Sequence, residues 1–572
     1  MAAQNLKPST IVSVDLGTTF SSVAWASTTS PESVNVLRDW PSPEGRVDAS
    51  RVPTKLTLRG KWGFDIPFDV PQDEVKQWFK LGLYPWVNSA PPLAQAFLMK
   101  NTSPEALTKK YLTELLAYAK EQLHSASLPD SYEYVVTVPA VWSDESKEKT
   151  RTAFVNSMQE AGLREGTVHL LSEPEAAAIH VLSKWSESSG MAREIIKPGN
   201  TFVVCDAGGG TVDLITYTVT NVNPLEVKEA SPGGGDMAGS AQLNMRFEAY
   251  LETILLRVPE FRAMTDRMRK TAIHKAMTEF ETTTKRDFTK NSGTCELPIS
   301  LPDDDKAGIK DGRLKIKSEH LEAHFKPTVS AIVHQVQQQI WESSAPIKAV
   351  VLVGGFSNSL YLYNELRAAV DPRIAFFHPS EPELAVTYGA IKKGLSLADP
   401  AGLTKIKVTS RKARHHIGER RDMCFNQKMF ASLEHKKYWD GYSGYYRVSA
   451  MQWFYKRGDD LDENKSISFP FYYQQLVEKG WFSKLVNTIR MDRNDRAPVL
   501  DVDGKVKNLC ILSADVSKIP EAERPQKKGK DGELYYILNG DIKVTHRSAD
   551  MEYVLYLGGK RYDDIKITYD YY

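Results

Sequence analysis

Two short stretches carry residues whose types and spacing suit phosphate chemistry. In 201–218, TFVVCDAGGGTVDLITYT, Asp206 and Asp213 bracket Gly208, Gly209 and Gly210. Without Cβ atoms, such glycines let the backbone approach a ligand and turn several N–H groups the same way, a nest for phosphate oxygens. A carboxylate beside a polyphosphate adds repulsion unless a cation lies between, so the acid pair suggests Mg²⁺ held partly through its own waters. The plainer reading is a glycine-rich hairpin. In 11–25, IVSVDLGTTFSSVAW, the plan recurs, with Asp15 ahead of Gly17, Thr18 and Thr19. Neither stretch is a G-x-x-x-x-G-K-[ST] loop or a G-x-G-x-x-G turn opening a helix.

Apolar runs on both sides make each stretch a strand, a turn and a second strand. Two such hairpins far apart in one chain predict two similar halves whose turns face each other across a cleft, each gripping one end of a triphosphate. Apolar spacing adds strands at 134–141, 168–171 and 349–355, and helices at 102–123, 143–160, 241–256, 267–289, 318–343 and 383–395. Ser143 caps one helix, with Asp144 and Glu145 in its first turn. Glu173 precedes Pro174 at a helix start near a strand end; it is either a helix-start acid or a group that orients water or Mg²⁺. Lys80 lies mid-way along VKQWFKLGL, as a solvated or a catalytic lysine. The 41–60 stretch is rich in turn formers and predicts a surface crossing. The 231–239 stretch, SPGGGDMAG, is another glycine cluster before a helical stretch and contains Gly234 and Gly235. Lys285 and Arg286 end a helix as solvated charges or as cations over a base and ribose. The run AVVLVGG carries a buried strand into Gly354 and Gly355.

The chain has 572 residues, 41% hydrophobic and 25% charged, which fits a soluble multidomain protein. A net charge of +1 argues for neither nucleic acid nor a membrane surface as partner. No apolar run approaches the roughly eighteen residues of a membrane span, and MAAQNLKPST lacks a signal core, so the expected location is cytoplasmic or nuclear. Cys205, Cys295, Cys424 and Cys510 form no C-x-x-C pair, so neither a disulfide framework nor a zinc site is indicated.

From Ser396 onward the pattern becomes β-rich, with turn signals at Asp503-Gly504, Asn539-Gly540 and Gly558-Gly559. Asp501 to Gly504 faintly matches a calcium loop, but Leu512 stands at its twelfth position, so a hairpin is expected. The basic stretch 405–421 lacks interleaved aromatics and reads as a solvated face or a junction.

In order, Asp15-Leu-Gly-Thr-Thr, Thr137-Val-Pro-Ala140, Glu173-Pro-Glu-Ala-Ala-Ala178, Asp206-Ala-Gly-Gly-Gly-Thr-Val-Asp213, Val351-Leu-Val-Gly-Gly355 and Ala385-Val-Thr-Tyr-Gly-Ala390 closely resemble the ATPase domain of the seventy-kilodalton heat-shock chaperones. The resemblance covers 9–396. It implies an actin-like, two-lobed α/β ATPase domain with ribonuclease-H-like duplicated halves, holding ATP or ADP with Mg²⁺, followed by a mostly β domain at 397–572. By position, Gly17, Thr18 and Thr19 would hold phosphates from one lobe and Gly208, Gly209, Gly210 and Thr211 from the other. Asp15 and Asp206 would sit near hydrated Mg²⁺. Lys80, Glu173, Asp206 and Thr211 would surround the attacking water, with ADP and phosphate as products. Gly234, Gly235, Lys285, Arg286, Gly354, Gly355 and Asn358 would enclose the nucleoside, and Pro139 would act as a hinge.

The chain also departs from the family. Phe356 and Asn358 replace Ser and Arg near the base, His169 replaces the arginine before the Glu-Pro motif, and no acidic, leucine-rich linker follows Leu395. The last two features serve J-domain co-chaperones and the peptide domain. Such partners, and a nucleotide exchange factor, therefore stay open, with unfolded polypeptide or a client protein as the main expectation. The C-terminal part is only weakly similar to the family's β-sandwich and carries no helical lid. Alternatives are a sugar-type kinase on the same fold, against which the Glu-Pro and Thr-Val-Pro-Ala motifs argue, and an ATP-gated scaffold with little hydrolysis.

Overall fold

The structure is a computed structural model that describes residues 8–68, 70–71, 74–84, 103–126, 128–399, 406–463, 465–499, 506–562 and 565–569. The chain divides into two compact units, Met1–Lys407 and Val408–Tyr572. Among the described residues no helix is long and apolar enough to cross a membrane.

The first unit is built on the two hairpins. Strands β1 (Ser9–Asp15), β2 (Phe20–Ser27), β3 (Ser30–Val36), β4 (Ser131–Val138) and β5 (Gly166–Ser172) lie in the order β5-β4-β1-β2-β3. β1 runs antiparallel to β2 and parallel to β4, and β4 runs parallel to β5. Strands β6 (Thr201–Ala207), β7 (Val212–Val222), β8 (Leu225–Asp236), β9 (Ile347–Val353) and β10 (Ala375–Phe377) repeat the arrangement as β10-β9-β6-β7-β8. Here too the hairpin pair is antiparallel and the two following neighbours are parallel. The unit therefore holds two copies of one α/β half, as the repeated hairpins predict.

Helices lie where capping and periodicity put them. They are α1 (Pro104–Ser125), α2 (Asp144–Glu160), α3 (Glu173–Glu187), α4 (Ser240–Leu255), α5 (Ser318–Glu342) and α6 (Ala385–Ala398). Ser103 and Ser143 cap α1 and α2 by accepting amides of the first turn. The expected start of α1 at Thr102 lies outside the described residues. In α3 nearly every residue to Trp185 is buried, because the helix is enclosed rather than lying on a surface. It follows the first sheet yet packs against β6 and β7, while α6 follows the second sheet and packs against β1 and α3. Each half thus lends a helix to the other. A Cβ on Gly389 of α6 would strike the Ala176 carbonyl of α3, and one on Gly394 would strike Ile11 and Val135. Thr387 adds polar ties to the first sheet, with its Oγ1 2.5 Å from Ser22 Oγ and its carbonyl accepting from Ser13.

Two sequence readings require correction, and one glycine cluster takes a definite form. The 41–60 stretch is not simply a surface crossing: Val52 and Leu56 are buried, and Val52–Pro53 pairs with β2. The 231–239 glycine cluster takes strand form, with β8 running through Gly234 and Gly235 to Asp236, paired with β7. Asn539-Gly540 is not a turn. It lies inside a 13-residue strand with partners on both sides, where neighbouring strands override the local turn preference.

The second unit is two antiparallel sheets. One has the order β12 (Tyr445–Tyr455), β11 (His416–Cys424), β14 (Lys484–Asp492), β15 (Lys507–Asp515), β19 (Ile565–Tyr569). The other has the order β13 (Ser466–Leu476), β16 (Leu534–His546), β17 (Met551–Leu557), β18 (Lys560–Tyr562). Ile489 and Leu512 of the first sheet share a core with Phe469, Ile542 and Leu555 of the second. Gly558 and Gly559, both at positive φ, close the predicted two-residue hairpin between Leu557 and Lys560. The Asp501–Gly504 turn lies outside the described residues, as do residues 400–405.

The α3–α6 crossing is expected to be intolerant of a single methyl group. Gly389→Ala should lower the stability of the protein by about 3 kcal/mol, because the obstacle is backbone and cannot rotate aside. Chemical denaturation followed by tryptophan fluorescence measures this, and an unchanged midpoint would refute so close a crossing.

Candidate functional site

The two glycine turns meet. A Cβ on Gly209 would lie 2.5 Å from Thr19 Oγ1, and one on Gly210 would collide with Thr18 Oγ1. Only glycine lets the turn after β6 sit this close to the turn after β1. The second turn is tied from behind by the start of α4: Gly239, Ser240 and Ala241 donate their amides to the carbonyls of Gly210, Gly208 and Gly209. In a planar trans peptide the N–H points opposite to the C=O. The amides of Gly209, Gly210 and Thr211 are therefore turned away from α4, as an anion nest requires. Gly239 is a residue the sequence reading passed over, and its Cβ would strike the Gly209 carbonyl.

Four carboxylates gather beside the turns. Asp15 ends β1 and accepts from Thr137 Oγ1 of the neighbouring β4 at 2.8 Å. Asp206 and Asp213 face each other in the β6–β7 register, and Asp213 Oδ1 accepts the Val141 amide at 3.1 Å. Glu173 begins α3 and meets Lys80 Nζ at 2.8 Å; both side chains are buried. Lys80 comes from a short 3₁₀ turn, Phe79–Leu83, and lies 5.3 Å from the Trp142 ring centroid. It is therefore not a solvated lysine. Burial pushes the Asp15, Asp206 and Asp213 carboxyls up, and at Asp206 the neighbouring Glu173, Asp213 and Asp15 push the same way. Burial also pushes Glu173 up to about 7, against the pull of Lys80.

The other predicted residues spread from this centre. A Cβ on Gly354 would strike Asp206 Oδ1, which places the end of β9 at the carboxylates. Gly355 is next to Arg51, whose Nη1 would be 2.7 Å from an added Cβ. Lys285 Nζ contacts Asn244 Oδ1 and Glu281 Oε1, both at 3.2 Å, and Asn358 Nδ2 donates to Glu383 Oε2 at 3.0 Å. Burial lowers the Arg51 pKa, and Arg286 is among its charged neighbours. Gly234 faces Gln339 of α5, and Gly235 faces Val141 and the Val212 carbonyl. Both glycines thus also meet a packing need. His169, on β5, pairs with Glu133 on β4 at 2.7 Å. Arg51 carried no motif and Glu281 no distinctive spacing, so neither could be singled out from sequence.

These residues fit a metal-bearing polyphosphate. Four buried acids with one paired lysine leave excess negative charge that a divalent cation would offset. Among the described residues no three metal-ligating side chains converge on one point. A cation here would accordingly take most of its ligands from phosphate and water.

Comparison with known proteins identifies the family. The family model for the Hsp70 protein matches residues 74–391. The chain is 25% identical over 488 residues to human heat shock 70 kDa protein 12B, covering 69% of each chain. It is 24% identical over 485 residues to human heat shock 70 kDa protein 12A, covering 68% of this chain and 70% of that one. Chaperone protein DnaK of Deinococcus proteolyticus is 27% identical over 263 residues, 45% of this chain and 37% of that protein. With a family match over more than half of its length, the chain belongs to the Hsp70 family of ATP-binding, chaperone-like proteins.

Proposed function

We propose that this protein binds Mg-ATP between the two glycine turns, hydrolyses it, and uses the nucleotide state to alter polypeptide binding by its β-rich part. The observation that supports this most is the contact of the turn after Asp15 with the turn after Asp206, surrounded by buried carboxylates. The ATPase domain is taken as 9–396 and the substrate-binding part as 397–572, in a cytoplasmic protein.

Mg²⁺ bound with ATP would neutralise phosphate charge, and Asp15 and Asp206 are the residues to hold its water shell. The amides of Gly17 to Thr19 and Gly209 to Thr211 would bind phosphate oxygens without contributing charge of their own, while the Gly208 amide closes the turn onto the Thr211 carbonyl. Lys80 and Glu173 form a buried pair at 2.8 Å that would hold the attacking water. Thr211 and Asp206 would complete that water's surroundings. Phosphoryl transfer to water needs mainly this kind of positioning and charge neutralisation. Gly354, Gly355, Lys285, Arg286 and Asn358, with Gly234 and Gly235, would enclose the nucleoside. Any effect on the β part requires the ligand to prefer one lobe arrangement over another.

Calorimetry of the full chain with ATP, ADP and Mg²⁺ should show Mg-dependent binding. Steady-state turnover should fall about 100-fold in Lys80→Ala, Glu173→Ala and Asp206→Ala. Equal background rates in all four proteins would eliminate hydrolysis and leave a nucleotide-gated scaffold. Coupling predicts that Mg-ATP changes the affinity for an unfolded reporter polypeptide, and an ATP-independent affinity would remove that part.

The raised Glu173 pKa gives a signed test. A carboxyl at about 7 when folded, against an ordinary value of 4.5, takes up a proton in the native state first. Its contribution to stability is therefore full below about pH 4.5 and is lost as pH rises through about 7. Relative to Glu173→Gln, the nucleotide-free parent should gain about 2 °C in thermal midpoint as pH falls from 8 to 6. A difference that does not vary with pH would contradict the assigned environment.

A further inference from the structure

We infer that Arg51 is a nucleotide-binding residue, donating to the phosphate oxygens nearest the nucleoside; this rests on the nucleotide reading of the cleft. The residue lies in the stretch that composition alone marked as a surface turn. The three residues after it hold its backbone at the site: Val52–Pro53 pairs with Ser21 and Phe20 of β2, and the Thr54 amide donates to the Thr19 carbonyl at 2.8 Å. The guanidinium carbon lies 5.1 Å from the Phe20 ring centroid. Its Nη1 is 2.7 Å from where a Cβ on Gly355 would be, so a cation from the first half reaches the glycine floor of the second.

The charges around Arg51 locate it along the cleft. Glu383, Asp15, Arg286 and Glu281 act on it. Asp15 belongs to the carboxylate centre, whereas Glu281 contacts Lys285 and Glu383 contacts Asn358, at the end proposed for the nucleoside. Arg51 thus feels charged groups from both ends. Among the described residues its guanidinium makes no hydrogen bond or ion pair, although burial is the main influence on it. Arg51 is half-buried, so its unused donors are shielded in part yet open to an acceptor that enters the cleft. Its planar fork matches the oxygens of a diphosphate, which would run from the acids to the nucleoside contacts.

Calorimetry of the full chain with Mg-ADP, AMP and adenosine, for the parent, Arg51→Ala and Arg51→Lys, tests this. In Arg51→Ala, ADP affinity should weaken about tenfold to hundredfold while adenosine affinity stays at the parent value, and Arg51→Lys should recover part of the loss. Unchanged ADP affinity would overturn the inference. So would an equal loss for all three ligands, which would mark stacking on the base. If the parent itself binds none of the three, the nucleotide reading fails and Arg51 falls with it. Should Arg51→Ala not fold, Arg51→Gln keeps the stem over Phe20 and gives the same comparison.

Discussion

The first unit depends on the contact of two turns that have almost no side chains where they meet. Gly209 and Gly210 leave room for Thr19 and Thr18, and a Cβ on either glycine would collide with the facing threonine. This contact sets how far apart the β1 and β6 strand ends lie, and so brings Asp15 and Asp206 into one electrostatic environment. Two loops with ordinary side chains would keep the acids apart and solvated. Brought together and buried, they repel, and burial and mutual repulsion both push the Asp206 carboxyl up. A site in this condition favours whatever ligand supplies positive charge among the acids.

The duplication explains how so much buried charge is tolerated. Each half has a sheet with its own apolar layer, and the acids sit near strand ends or, for Glu173, at a helix start. The exchange of α3 and α6 between halves fixes the sheets against each other through backbone contact rather than through adaptable side chains. Glu173 belongs to this arrangement, since the helix it begins is the one the first half lends to the second. A small rotation at that crossing would change the Lys80–Glu173 geometry directly. That is a physical basis for linking the cleft to distant surfaces, with no separate relay of residues required.

Much of the site was legible in the chain itself. The acid-glycine hairpins, the strand running into Gly354 and the helix opening at Glu173 all have strong local signatures: apolar alternation, glycine runs and a proline in the first helical turn. The errors share one cause. At Asn539-Gly540, a pair that locally favours a turn lies within a strand because neighbouring strands supply partners for its backbone. At 41–60, turn-forming residues concealed a short buried strand beside β2.

The order of residues determined which chemistry was possible: two phosphate-binding turns, four acids at strand or helix ends and one lysine within an apolar stretch. Those features arise within a few neighbouring residues, where backbone geometry and side-chain size act directly. Only the tertiary structure decided that the two turns touch, that Lys80 leaves solvent to pair with Glu173 from 93 residues away, and that Arg51 reaches Gly355. Such meetings depend on how two sheets and their exchanged helices pack, and packing is a property of the whole core that no local run of residues encodes.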